Sequence, residues 1–543
     1  MTRILLAGAL LLGTLAPALH AQKNPSRTSA RPRPQPPVEV PPAVVVLQVD
    51  TSAGDSTRTI IQRDFDYGDR IQPLILDSTS LADIWTPGER RINFAPLAQT
   101  RANFVVRARP TTAGLHVELY DLPQGRLRQD DNFRLPKLPS ANRLADVRDS
   151  LAGVLARRVE SAMAAIAADS ATRDSLQRSA TKPVVTKTTR DRANARRAQV
   201  ARDSLSRELD RRDVLLRASA VQDTMHFDSV FARFVARDSL VRDSVARERR
   251  LGIHVVSDEI ERWITGVRGI SATRIAFVEG TKLKIVDSDG ANERILPTAG
   301  AALSPAWHPS GKSLVYVDAD DRGTRIATID LRTMRPRLFP ASNRGLNITP
   351  VYTRDGKNIV WASGGDSPAE LVLANAAGED SISVPYVGRR GAETTSPSFS
   401  PDGKQIVFMS PVPLTPQLYT MNVDGTGLRL LTPIVPGKRS YRTGPEWSPK
   451  GDEIAYQQQN GDFQIWTIRL KDRVMKQLTN EGENEDPAWA PDGRHLSITR
   501  RLGAIGDQRN IWVLDKQTGR LRQLTFSGEA RLSDWSPPLR PSY

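Results

Sequence analysis

The residue types that could carry chemistry are present but scattered. The six histidines stand at positions 20, 116, 226, 254, 308 and 495, and no two of them share a motif. There is no His-Glu-x-x-His pair, no Gly-x-Ser-x-Gly elbow and no phosphate-cradling glycine loop. The sequence therefore offers neither a zinc-protease helix, an activated serine nor a nucleotide site. Acidic clusters are the other candidates. Asp64-Phe65-Asp66-Tyr67-Gly68-Asp69 lacks the twelve-residue spacing and closing Glu of a calcium hand, and reads as a helix end and turn. Asp287-Ser288-Asp289-Gly290 and Asn422-Val423-Asp424-Gly425 match calcium loops only in fragments, where hairpin turns belong. No catalytic residue, cofactor or metal is expected, with calcium left open.

The elements that would position any site announce themselves by repetition. Ser304-Pro305-Ala306-Trp307-His308-Pro309-Ser310-Gly311-Lys312 returns in altered form at 349–357, 396–404, 444–452 and 486–494, and stops short at Asp534-Trp535-Ser536-Pro537. Its aromatic positions 307, 352, 399, 447, 489 and 535 lie 45, 47, 48, 42 and 46 residues apart. A period of 40–50 residues signals a solenoid or a propeller. Each aromatic is followed by Pro-Asp-Gly or a variant, then by short alternating or apolar runs such as 313–317, 405–409 and 464–470. Strand, turn and three more strands make a propeller blade. Runs at 274–279, 282–287 and 293–296 lack a first partner, and 532–536 lacks followers. Joined, they complete a sixth blade and leave no open edge.

The chain before the repeats divides by composition. Residues 1–21 read as a secretory signal, with Arg3, an apolar run at 4–12 and Leu19-His20-Ala21 before cleavage. That run is too short to span a bilayer, and none later is longer, so an exported, non-membrane-spanning protein is expected. The absence of cysteine excludes disulfides. Residues 22–42 form a Pro-rich linker. Residues 43–140 read as a small α/β domain: a buried strand at 43–49, a helix at 56–65 carrying Ile60, Ile61 and Phe65, an extended 70–76, and a hairpin of 103–109 with 115–121. Residues 141–253 are a charged helical insertion in which Arg-Asp-Ser-Leu recurs at 148, 173, 202 and 237, interrupted at Lys182-Pro183. From 190 to 250 there are 15 Arg, no Lys and 10 acids. The net charge of +15 raises nucleic acid as a partner, but interleaved acids and few aromatics exclude it. A linking helix follows at 254–270, with Ser257 expected as its N-cap, Asp258 and Glu259 in its first turn and Gly266 at its end. The propeller fills 271–543.

His254-Val255-Val256-Ser257-Asp258-Glu259, Thr265-Gly266, Gly269 and Thr273-Arg274-Ile275-Ala276 resemble the signature of the TolB family, the periplasmic propellers of the Tol–Pal envelope system. The resemblance covers 43–140 loosely and 254–539 closely, including the closing Trp535-Ser536-Pro537. It implies a multidomain fold: a small α/β N-terminal domain joined to a C-terminal six-bladed β-propeller, here with a charged helical insertion that the family lacks. It also implies a non-enzymatic, monomeric periplasmic scaffold that binds a peptidoglycan-associated lipoprotein at the mouth of the propeller channel. Such a scaffold supports outer-membrane integrity and constriction at cell division. TolA-like contacts are implied as well, although the family's N-terminal arm is not recognisable in 22–42. A propeller binding another periplasmic ligand, such as a glycan, is the alternative.

Three positions before each aromatic stand Ser304, Thr349, Ser396, Gly444, Asp486 and Leu532. They are expected just before each first strand, at one mouth of the channel, with the Asp-Gly turns at the other. Small side chains there leave room for another chain; alternatively they only begin strands. Of the family pattern His-Asn-Gly-Ala-Pro, Asn347 and Pro350 match, while Leu346 replaces the His and Thr349 the Ala. The expected partner-binding residues are Asn347, Thr349, Thr395, Ser304, Ser396 and Asp486.

Overall fold

The computed structural model describes residues 40–47, 56–76, 84, 91–140, 142–180, 188–340, 342, 345–365, 367–378, 384–385, 393–412, 415–434, 440–503 and 508–542. The signal segment, most of the Pro-rich linker and Lys182-Pro183 lie outside them. The chain forms two compact units, 1–135 with 250–543 and 136–249.

The first unit begins with a five-stranded sheet in the order β2-β1-β3-β4-β5. Its strands are β1 (Ala43–Val46), β2 (Gln72–Leu74), β3 (Phe104–Pro110), β4 (Gly114–Asp121) and β5 (Arg126–Arg134). Strand side chains alternate between faces. Val44 and Val46 accordingly join one core with Ile60, Ile61 and Phe65 of helix α1 (Ser56–Gly68), while Val45 and Leu47 join another with Leu97 and Val105. Ile253, Val256 and Ile260, spaced as one helical face, complete the first core. β5 is absent from the sequence expectation.

Ile253 to Ile260 do not begin a helix. They belong to α3 (Thr189–Thr265), which runs 77 residues without a break. Ser257 is therefore not an N-cap: it is buried in mid-helix and its hydroxyl donates back to the Ile253 carbonyl (3.2 Å). Arg190 to Thr265 contains no proline, so nothing stops the charged helix from continuing into the signature. Gly266, in the left-handed region at φ 79°, does end it.

The propeller has six four-stranded sheets. Five are consecutive, at 301–338, 346–385, 395–430, 441–477 and 483–523, and the sixth pairs Ala530–Trp535 with Arg274–Glu279. The ends of the domain thus close the ring, as the unpartnered runs predict. Every first strand carries a β-bulge. Its left-handed residue is Ser304 (φ 43°), Thr349 (50°), Ser396 (53°), Gly444 (56°), Asp486 (52°) or Leu532 (54°). These positions lie inside the first strands, not before them. In five blades the next residue is proline, which has no N–H for the ladder, so the pairing must skip there.

The second unit contains α2 (Arg143–Ala180) and the part of α3 up to Arg249. Arg143 pairs with Asp238 (3.8 Å), Arg158 with Asp223 (3.3 Å) and Arg173 with Asp210 and Asp213. Early residues of α2 meet late residues of α3, so the two helices form an antiparallel hairpin.

Candidate functional site: the propeller channel

The six first strands converge on a central channel of about 460 Å³. Each contributes the same short segment, from the bulge through the proline and aromatic. The aromatics hold the wall together. The backbone N–H of Trp307 donates to the Asp534 carboxylate (2.7 Å) and its indole N–H to the Asp534 carbonyl (3.2 Å). Trp489 repeats this with Glu446, at 2.8 and 3.1 Å. The N–H of Trp447 donates to the Ser398 hydroxyl (3.0 Å). The repeated aromatics are therefore blade-to-blade locks, buried as blade packing requires.

Four of the six expected partner residues come together. Ser304, Thr349, Ser396 and Asp486 all line the channel, half-buried, with Gly444 and Leu532 completing the ring. Their polar atoms also brace the wall: Thr349 Oγ1 accepts from the Ser396 N–H (3.1 Å), and the Thr499 hydroxyl donates to Asp486 (2.9 Å). Asn347 and Thr395 are buried within their blades. The Asn347 amide donates to the Thr324 carbonyl (2.8 Å), and its oxygen accepts from the Trp361 indole (2.9 Å) and the Ser363 hydroxyl (3.1 Å). It fastens blade 1 (301–338) to blade 2 (346–385) rather than facing the channel.

A second ring escaped the sequence reading. The residues before the aromatics are Ala306, Val351, Ser398, Glu446, Ala488 and Asp534, all on the channel wall beside Arg354. Burial pushes Glu446 well above the usual carboxylate range, with Asp534 adding to the rise. Burial likewise carries Asp534 up to about 6 and raises Asp486. The Arg354 guanidinium donates to the Phe399 carbonyl (2.8 Å). Two acids in an otherwise small-residue column were the available signal. The arrangement gives the channel walls that carry carboxyl groups and other hydrogen-bonding side chains.

The other acidic clusters are taken up at the junction between the N-terminal domain and the propeller. Asp64, His254 and Asp289 approach one another, as do Asp69, His495 and Asp515. His254 Nδ1 donates to Asp64 (2.8 Å), and Arg250 bridges Asp287 (3.1 Å) and Asp289. His495 Nδ1 donates to Asp492 (2.8 Å), Arg70 reaches the same carboxylate (2.8 Å) and Arg494 pairs with Asp515 (2.7 Å). The carboxylates around His254 lift it to about 10 against its burial, and those around His495 lift it to about 9. Guanidinium groups meet most of these carboxylates: Arg63 and Arg250 reach Asp289, Arg520 and Arg522 reach Asp69, and Arg494 reaches Asp515. Both clusters are domain locks, so Asp287-Ser288-Asp289-Gly290 serves as an arginine dock. Asp492, His495 and Asp515 lie at turns where first strands end or third strands stop. The N-terminal domain therefore packs on the Asp-Gly side of the propeller, away from the mouth where the first strands begin.

A model of the TolB beta propeller domain matches residues 261–539, just over half of the chain. The Tol-Pal system protein TolB of Bordetella pertussis is 29% identical over 307 residues, covering 55% of this chain and 68% of that protein. Its counterpart in Bordetella bronchiseptica is 29% identical over 307 residues, covering 55% and 67%. The crystal structure of TolB from Acinetobacter baumannii superposes with a TM-score of 0.59 at 17% identity, covering 92% of this chain and 97% of that one, a likeness of fold. With its closing strand, its bulged channel and this match, the chain belongs to the TolB β-propeller family.

Proposed function

We propose that this chain is the non-enzymatic propeller scaffold of a Tol–Pal-type envelope system in the periplasm. It receives a peptidoglycan-associated lipoprotein at the channel mouth where the first strands begin, and so supports outer-membrane integrity and constriction at division. The observation that carries this reading is the channel itself. Its walls are built from one repeated segment per blade, and that segment brings the polar residues Ser304, Thr349, Ser396 and Asp486 together around one cavity. The names of the relatives, Tol-Pal system proteins, point the same way. Among the described residues no helix is long and apolar enough to cross a membrane. TolA-like proteins are further partners on this reading.

The test is calorimetric titration of the full chain with the soluble domain of a peptidoglycan-associated lipoprotein from the same cell, beside peptidoglycan and other glycan fragments. Saturable one-to-one binding of the lipoprotein domain is the expected result. Binding of glycan alone would overturn the reading.

A further inference from the structure

A second cavity, of about 500 Å³, opens between blades 1 and 2 and is of the size that holds a small ligand. Two side chains of blade 1 bridge it to blade 2, each against a glycine. His308 stands edge-on to Tyr352, with 4.7 Å between ring centres, and its Nε2 lies 3.2 Å from the Gly356 carbonyl oxygen. A Cβ on Gly356 would come within 2.4 Å of that nitrogen. Arg337 Nη1 donates to the Ala377 carbonyl (2.8 Å), and a Cβ on Gly378 would come 2.7 Å from Nη2. The Ser310 N–H donates to His308 Nδ1 (3.0 Å), so Nε2 carries the proton. Burial holds this imidazole below the ordinary histidine value, so it stays neutral and arginine sets the charge of the cleft.

Arg337 is held by that one N–H, and among the described residues no other group meets its guanidinium. Arg335, on the same wall, has no partner among them. The nearby carboxylates are committed to their own turns. Asp330 accepts the N–H groups of Arg332 (3.0 Å) and Thr333 (2.7 Å). Asp355 accepts the Thr353 hydroxyl (2.7 Å) and the Lys357 N–H (3.0 Å). A guanidinium fixed in place with donors to spare is a receptor for a carboxylate. Much of the remaining wall is hydroxyl, from Ser313, Thr328 and Thr333, while Ile329 and Tyr352 are buried. Hydroxyls that both donate and accept suit a guest that is itself polyhydroxylated. We infer that the cleft between blades 1 and 2 binds a carboxylate-bearing saccharide. Its carboxylate meets Arg337 and Arg335, and its hydroxyls meet those of the wall. The site shares only Tyr352 with the channel lining, so it does not depend on what the channel receives.

N-acetylmuramic acid and N-acetylglucosamine make a matched pair of probes that differ by one lactyl carboxylate. Lactate supplies that carboxylate without the sugar. Saturation-transfer NMR titration of the full chain should show N-acetylmuramic acid binding at least about tenfold more tightly than either of the others. Arg337→Gln should remove its preference over N-acetylglucosamine. Arg335→Gln, at an exposed position without a partner to lose, should reduce that preference severalfold with the melting temperature unchanged. Equal binding of N-acetylglucosamine would overturn the proposal, as would equal binding of lactate. So would the absence of saturable binding, or full binding by Arg335→Gln.

Discussion

Glu261 and Asp258 illustrate what single side chains do at the junction. Glu261 is buried beside Arg70 (3.4 Å), and a Cβ on either Gly68 or Gly269 would press to 2.8 Å from its carboxylate. Those glycines are there to leave room for it. Burial carries Glu261 up to about 8, and carries Asp258 up to about 7 although its carboxylate accepts the N–H groups of Ser271 (2.6 Å) and Ala272 (3.1 Å). An acid whose folded pKa is raised stabilises the fold less as pH climbs from its unfolded value to its folded one. For Glu261 that window runs from 4.5 to about 8. The locked histidines add a slope of the same sign: their contribution is complete below 6.5 and is lost as pH rises through about 9 and 10. Melting temperature should therefore fall between pH 5 and 8, and Glu261→Gln should flatten that fall. Parallel curves for the two proteins would contradict the assignment. None of this was legible in the sequence. Asp258 looks like a first-turn acid only if the helix starts at Ser257, and His495 stands where the other repeats have Ser313, Asn358, Gln405 and Glu453, a difference that gains meaning only once Asp69 and Asp492 surround it.

Elements that bury one face were readable, and those that do not were missed. The alternating runs after each Asp-Gly turn, the aromatic period and the unpartnered ends of the ring all carry hydrophobic spacing, so the six blades and their closure follow from pattern alone. β5, Arg-Leu-Arg-Gln-Asp-Asp-Asn-Phe-Arg, is almost wholly exposed and shows no alternation; only pairing with β4 makes it a strand. That pairing depends on Gly114, where a Cβ would meet the Phe133 carbonyl oxygen at 2.0 Å and the Leu135 nitrogen at 2.6 Å, both backbone. Gly114→Ala should destabilise the N-terminal domain by about 1–3 kcal/mol in denaturant titration, because neither neighbour can rotate away. A loss under about 0.5 kcal/mol would show that β5 is not held as described. The bulges were half legible: the prolines mark where the ladder breaks, but not that the chain resumes pairing on the other side. That is why the ring residues lie inside the first strands and not ahead of them.

The chain divides into two compact units, one holding the propeller with the N-terminal domain and the other the helical hairpin. Deleting residues 170–245 with a short Gly/Ser joint should leave the propeller's thermal transition within a few degrees, since blade cores draw on residues outside that range. Collapse of the transition would show that the hairpin supports the blades. The channel is the feature on which the functional account turns, and one pair of substitutions tests it most directly. Thr349 lines the channel, while Asp355 sits exposed in the turn that follows the same strand, its carboxylate accepting the Thr353 hydroxyl (2.7 Å) and the Lys357 backbone N–H (3.0 Å). Thr349→Arg should weaken binding of the lipoprotein domain by more than about 2 kcal/mol, by driving a bulky, poorly paired charge into the contact. Asp355→Arg should leave that affinity unchanged. Equal losses for both substitutions, or full binding by Thr349→Arg, would contradict the placement of the partner at the channel mouth.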